Sequence, residues 1–194
     1  MVKFLLLALA FGLARAHVEI DGNWVTVAIA ADNVKKIEEE GPLRIYLREL
    51  TCNESCDRLE LTFYIKANGQ CTKTKVTGNR QEDGKYNAQF EGDNTFGPVY
   101  ITPEFTIFAN QNVDRTGQTT NMIYVYGKGQ SLTPEQYEKI EEFAKVQNIP
   151  RENIQDVLAT DDNTMRIMHH ILLGMKSVLH INHHFFLNEF SPHL

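Results

Sequence analysis

Three cysteines, Cys52, Cys56 and Cys71, are the side chains of this 194-residue chain with the most versatile chemistry. A thiolate can act as a nucleophile, bind a metal ion or form a disulfide. Cys52 and Cys56 lie close together in a short polar segment, and we expect them to form a disulfide. Cys71 is then expected to be unpaired. Structural zinc takes four ligands, which two cysteines without a nearby histidine do not supply, so we expect no metal site.

The histidines argue against catalysis. Residues 18–162 contain no histidine, which removes the commonest general base from most of the chain. Cys71 is the only candidate nucleophile, and strand alternation places it on the opposite face from Val76. We therefore expect no enzymatic activity and no cofactor. An alternative is metal or haem binding by His180, His183 and His184, but biased composition alone is weak evidence for a site.

The first 16 residues have the three parts of a signal peptide. Lys3 is the positive residue, residues 4–13 are an apolar stretch too short for a membrane span, and Ala14-Arg15-Ala16 is a cleavage site. We expect a secreted, extracellular protein, in which disulfides are stable. Asn53 begins an Asn-Glu-Ser sequence and is a candidate for glycosylation.

The charge balance disfavours a nucleic-acid partner. The chain has 19 lysines and arginines against 25 aspartates and glutamates, a formal net charge of -6. No segment has the clustered cations that phosphate neutralisation requires. We expect neither a nucleic acid nor a membrane as a partner.

Residues 22–127 show the pattern of strands and turns. Apolar and polar residues alternate with a period of two, as in a sheet with one buried face. Asn68-Gly69 and Asp83-Gly84 are hairpin signals, since type I′ turns need positive φ at both central residues. The predicted strands are Trp24–Ala31, Leu43–Leu50, Arg58–Lys66, Cys71–Thr77, Lys85–Phe90, Pro98–Ile101, Phe105–Asn112 and Thr119–Tyr126. Short links between neighbouring strands predict an all-β fold, an eight-stranded antiparallel up-and-down barrel.

One α-helix is predicted over residues 133–148, packed on the outside of the barrel. Thr133 can cap it, Pro134 suits its first position, and Gln136 completes a capping box. The domain organisation is then a signal peptide (1–16), a barrel domain (17–162) and an atypical, histidine-rich apolar tail (163–194) that we expect to be poorly ordered.

Several motifs resemble those of a known family. Gly22-Asn23-Trp24, at the start of the first strand, resembles the Gly-x-Trp motif of the lipocalins. Further stretches are similar to the odorant-binding proteins and aphrodisin-like pheromone carriers, and the resemblance covers about residues 1 to 161. These stretches are Gly41-Pro42-Leu43-Arg44, Gln81-Glu82-Asp83-Gly84-Lys85-Tyr86, Phe90-Glu91-Gly92-Asp93-Asn94, Asn112-Val113-Asp114 and Tyr126-Gly127-Lys128-Gly129. The resemblance implies a secreted carrier of small volatile hydrophobic odorants or pheromones.

The resemblance also implies specific residue roles. Gly22, Trp24 and Lys128 would be structural, with Lys128 above the Trp24 ring. The implied ligand-binding positions are Leu43, Ile45, Leu47, Leu61, Phe63, Val76, Asn94, Phe96, Phe108, Asn110, Met122 and Tyr124. Strand alternation agrees with the first six of these positions and adds Ala88. In the last two strands, alternation equally favours Ile107 and Ala109, or Ile123 and Val125, as the inward residues.

Two further expectations concern partners. The family pairs the cysteine at the position of Cys71 with one near the end of the chain, and this sequence has no cysteine after Cys71. A homodimer, or a heterodimer with related lipocalins, is a second class of partner beside the small ligand.

The alternative function is a surface-acting lipocalin, a protease inhibitor or receptor ligand, without a physiological small-molecule role.

Overall fold

The computed structural model describes residues 20–160. The predicted signal peptide and the histidine-rich tail, with its histidines, lie outside the described residues. Within residues 20–160, every helix is too short or too polar to span a bilayer.

Ten antiparallel strands form one curled sheet in the order β1-β3-β4-β5-β6-β7-β8-β9-β2-β10. All eight predicted strands are present with shifted ends. The two additions are short: β1 precedes Trp24, and β10 pairs with the edge of β2. The strands are β1 (Gly22–Asn23), β2 (Val25–Ala31), β3 (Tyr46–Cys52), β4 (Arg58–Ala67), β5 (Gln70–Arg80), β6 (Tyr86–Gln89), β7 (Asp93–Ile101), β8 (Phe105–Val113), β9 (Thr119–Gly127) and β10 (Ile154–Asp156).

The barrel closes where β2 meets β3. The Trp24 N–H donates to the Arg48 carbonyl oxygen at 3.0 Å. The Thr26 hydroxyl accepts from the Leu47 N–H at 2.9 Å and donates to the Ile45 carbonyl oxygen at 3.0 Å. Since β2 also pairs with β9, these bonds join the two ends of the meander, and the predicted barrel class is confirmed.

The second predicted strand begins later than expected. It starts at Tyr46 rather than Leu43, because residues 33–45 fold back on themselves through a 3₁₀ turn at Val34–Lys36. The Leu43 N–H donates to the Lys36 carbonyl oxygen at 2.9 Å, which holds this segment in its own loop. We call residues 33–45 the lid segment.

Arg44 and Tyr46, which alternate with the lumen-facing positions Leu43 and Ile45 in the sequence, are both buried. The Arg44 guanidinium donates to the Ile37 carbonyl oxygen at 2.8 Å, to Gln155 Oε1 at 2.6 Å and to the Tyr46 hydroxyl at 2.9 Å. A buried cation is tolerated where its N–H groups find acceptors. Gln155 lies 111 residues further along the chain, so alternation alone could not predict the burial.

Helix α1 (Pro134–Val146) begins at the predicted capping box. The Gln136 N–H donates to Thr133 Oγ1 at 3.2 Å, and the Thr133 N–H donates to Gln136 Oε1 at 2.9 Å. Ile140 and Ala144 pack on the outside of the barrel, as expected. A second 3₁₀ turn (Arg151–Asn153) follows, then β10 and the single helical turn α2 (Val157–Thr160).

The residues beneath α1 decide which faces of β8 and β9 point inward. Ile107, Ile123 and Val125 belong to the outer cluster with Ile140 and Ala144. Strand alternation then turns the intervening residues of both strands into the barrel. Both faces of this wall are apolar, which is why the period-two pattern left two assignments open.

Candidate ligand-binding site

The barrel encloses a mainly apolar cavity, the lumen. Its free volume is about 50 Å³, so the lumen is narrow. Its lining residues are Leu43, Ile45, Leu61, Phe63, Val76, Ala88, Phe90, Asn94, Phe96, Phe108, Asn110, Tyr124 and Tyr126.

Two of the residues predicted to line the lumen do not. Leu47 and Met122 are fully buried, and neither borders the cavity. Leu47 lies at the seam of the barrel, where its N–H meets Thr26. All the other predicted positions, including Ala88, surround the cavity.

Two lining residues, Phe90 and Tyr126, are absent from the predicted set. Both lie two positions from a residue in that set: Phe90 follows Ala88, and Tyr126 follows Tyr124 on the same face of β9. Alternation carried one step further would have found them. The Phe90 ring also meets the Phe63 ring edge-on, with centroids 5.1 Å apart.

Aromatic rings line one part of the lumen. The Tyr124 and Tyr126 rings are stacked with an interplanar angle of 9° and centroids 6.1 Å apart, and Phe108 lies 5.5 Å from Tyr126. Burial raises the pKa of both tyrosine hydroxyls, so both remain neutral at physiological pH. The Tyr124 hydroxyl donates to the Leu43 carbonyl oxygen at 2.9 Å and ties the barrel wall to the lid segment.

Trp24 and Lys128 close the base of the barrel. The Lys128 ammonium lies 3.4 Å from the centroid of the Trp24 ring and donates to the Asn23 carbonyl oxygen at 2.8 Å. Burial lowers the pKa of Lys128. The Trp24 indole N–H donates to the Ile20 carbonyl oxygen. Gly22 has a φ of 128°, a conformation that side chains other than glycine rarely adopt.

Three asparagine amides form a polar cluster beside the lumen. Asn94 Oδ1 accepts from Asn110 Nδ2 at 3.0 Å and from Asn112 Nδ2 at 3.2 Å. Strand register brings them together, since Asn94 is opposite Asn112 and Phe96 is opposite Asn110 in the β7–β8 pair. Asn94 and Asn110 border the cavity and give it a local polar wall.

The lid segment is fastened to two turns of the barrel. Lys36 Nζ lies 2.8 Å from Asp114 Oδ2, in the turn between β8 and β9. Glu40 accepts from the Gly69 N–H at 2.8 Å in the β4–β5 turn. The hydrogen bond from Lys36, followed by those from Thr116, holds the pKa of Asp114 well below its usual value.

Cys52 and Cys56 form the expected disulfide. Asn53, between them, is exposed, and its amide donates to the side chains of Asp57 and Ser55. Cys71, on β5, lies opposite Lys66 of β4 and is partly shielded from solvent. Among the described residues, no cluster of three or more histidine, cysteine, aspartate or glutamate side chains could hold a metal ion.

A closed antiparallel barrel with an apolar lumen defines a class of proteins that enclose small ligands. The model of the lipocalin / cytosolic fatty-acid binding protein family matches residues 21–161. The chain belongs to the lipocalin family.

Individual relatives are also similar. An odorant-binding protein of Phodopus sungorus is 62% identical over 145 residues, 75% of this chain and 96% of its own length. The crystal structure of aphrodisin, a sex pheromone from female hamster, matches with a TM-score of 0.72 and 52% identity over 73% of this chain and 97% of that one. A complex of bovine odorant-binding protein with undecanal matches with a TM-score of 0.54 and 33% identity over 73% and 90%.

Proposed function

We propose that this protein is a secreted carrier that binds small, volatile, hydrophobic molecules, odorants or pheromones, in the lumen of its barrel. The observation that carries the proposal is the mainly apolar cavity, with aromatic and aliphatic walls and few polar groups. Relatives named as an odorant-binding protein and as a sex pheromone support it.

The size and polarity of the lumen limit the ligand. Its free volume of about 50 Å³ is below the range of about 300–1,000 Å³ for small-molecule sites, so lining side chains must move apart as a ligand enters. A ligand of about ten carbons buries roughly 250 Å² of apolar surface, which at about 25 cal/mol per Å² contributes about 6 kcal/mol. With one hydrogen bond of about 1 kcal/mol, the dissociation constant is expected to be roughly 1–10 μM.

The lumen groups suit retention rather than reaction. Its polar side chains are amides and neutral phenols, none of which is a ready general base near neutral pH. Leu43 and Ile45 of the lid segment border the cavity. We infer that the lid segment moves when ligand enters or leaves, and that its contacts with the turns set the rate of ligand exchange.

Displacement of the fluorescent apolar dye N-phenyl-1-naphthylamine tests the carrier function. Ten-carbon alcohols, ketones and alkanes should displace the dye at micromolar concentrations. A protein that binds the dye nowhere, or releases none of it at millimolar ligand, would overturn the proposal. Secretion is tested separately: expression in mammalian cells should release a protein whose amino terminus is His17, and retention of residues 1–16 would contradict it.

A further inference from the structure

Three buried oxygen atoms cluster at one end of the lumen without a hydrogen-bond partner among residues 20–160. They are Asn110 Oδ1, Asn112 Oδ1 and Thr120 Oγ1. Asn112 is directly opposite Thr120 in the β8–β9 pair, and Asn110 is two residues away on the same face of β8. Asn110 borders the cavity, whereas Asn112 and Thr120 lie behind it with no exposed surface. Since buried polar groups are normally paired, this cluster indicates a missing partner.

The orientation of the Asn94 amide follows from its backbone partners. Its Nδ2 donates to the Phe90 carbonyl oxygen at 2.7 Å and to the Gly92 carbonyl oxygen at 3.3 Å. If this amide were reversed, Asn94 Oδ1 would face the same two carbonyl oxygens, neither of which can donate a hydrogen bond. Asn94 Oδ1 must therefore point the other way, toward Asn110 and Asn112.

The orientation of Asn94 in turn determines the orientation of the Asn110 amide. Asn94 Oδ1 can only accept, so Asn110 must turn its Nδ2 toward it. Asn112 is held in the same sense, since its Nδ2 donates both to Asn94 Oδ1 and to the Glu91 carbonyl oxygen. Asn110 Oδ1 is left without a hydrogen-bond donor among residues 20–160.

A bare acceptor beside an apolar lumen distinguishes between ligands of equal size. A ligand hydroxyl can donate to Asn110 Oδ1 and restore the missing bond. A ketone, aldehyde or ester has only acceptor oxygens, which would meet the lone pairs of Asn110 Oδ1. The Tyr124 hydroxyl does not compensate, because its proton is used by the Leu43 carbonyl oxygen.

The geometry points to apolar alcohols as the preferred ligand class of this lumen, with the ligand O–H donating to Asn110 Oδ1. This inference rests on the proposed carrier function and adds a chemical selectivity to it. Asn94 and Asn112 are positioning residues that hold the Asn110 amide.

Decan-2-ol and decan-2-one test the inference, because they share one carbon skeleton and differ in the donor. Each is titrated against N-phenyl-1-naphthylamine bound to the full chain, with decane as an apolar reference. The wild-type protein should bind the alcohol at least fivefold more tightly than the ketone. Asn110→Leu should reduce this ratio to less than twofold and leave decane binding intact. Gln111→Leu, the matched control on the exposed outer side of the same strand, should keep the wild-type ratio.

The possible outcomes test the alcohol preference and the carrier function separately. Equal affinities in the wild-type protein, or a tighter ketone, would overturn the alcohol preference without any variant. A preference that persists in Asn110→Leu would also overturn it, and Asn110→Ala serves the same purpose if circular dichroism shows that leucine is not accommodated. If none of the three ligands displaces the dye, the carrier function itself fails.

Discussion

The two faces of the β8–β9 wall are both buried and both apolar, yet they serve different purposes. On the outer face, Ile107, Ile123 and Val125 are covered by Ile140 and Ala144. On the inner face, the alternate residues of the same strands surround a cavity and include amides and phenols. The outer face is filled by a complementary helix, and the inner face leaves space.

This difference separates stability from binding. A close-packed contact loses both transfer free energy and packing when a side chain is shortened. Side chains in a cavity wall are packed less closely, so substitutions there should affect ligand affinity more than stability. We expect outer-face variants to alter the free energy of unfolding and inner-face variants to alter affinity, and the following changes test that division.

Ile140→Ala should have the largest effect on stability. Ile140 is fully buried between α1 and the barrel, and shortening such a side chain typically costs about 2–5 kcal/mol of unfolding free energy. Urea denaturation measures this loss. Dye affinity of the folded variant should be unchanged, and an affinity loss comparable to the stability loss would show that the two faces are coupled.

Ala88→Trp should fill the lumen and weaken binding of ten-carbon ligands more than tenfold. Ala88 borders the cavity, and any overpacking should cost about 1–3 kcal/mol of stability. Gln89→Trp, on the exposed outer side of the same strand, is the matched control and should bind normally. A destabilised Ala88→Trp protein with full affinity would show that ligands occupy a different place.

Thr133→Ala should destabilise the protein by about 1 kcal/mol, because the first turn of α1 loses the hydroxyl that accepts from the Gln136 N–H. Thermal unfolding measures the change. Ligand affinity should stay within twofold of wild type, since the capping box lies on the outside of the barrel. A large affinity change would indicate that α1 transmits strain to the lumen.

Lys36→Met should accelerate ligand release about threefold, the smallest of these effects, by removing the link between the lid segment and Asp114. Stopped-flow dye release measures it. The lowered pKa of Asp114 means that the carboxylate stays charged below the pH at which an ordinary aspartate protonates. Any stabilisation of the lid segment by the Lys36–Asp114 pair is therefore present above the ordinary pKa of aspartate. It is lost only as the pH falls through the lowered pKa of Asp114.

Wild-type release should therefore be the same at pH 7 and pH 5. Acceleration between these values would mean that the Lys36–Asp114 pair does not govern the lid segment. Lys139→Met, which removes an exposed ion pair with Glu142 within α1, should leave release unchanged and serves as the control.

Local patterns in the sequence determined much of the barrel. Alternation placed Leu61, Phe63 and Val76 on the cavity side, because their strands carry polar residues on the other face. Turn-forming Asn68-Gly69 and the Thr133 capping box acted through neighbouring backbone, so they too were evident without tertiary information. The Cys52–Cys56 disulfide is equally local, since it closes a ring of a few residues.

Tertiary structure alone decided the features that depend on distant parts of the chain. The inward faces of β8 and β9 became definite only when α1 covered Ile107 and Ile123, because a period of two cannot assign faces when both are apolar. Burial of Arg44 required the side chain of Gln155, 111 residues further along the chain. The direction of the Asn110 amide depends on Asn94 in another strand, because a side-chain amide is oriented by its hydrogen-bond partners and not by its own position in the sequence.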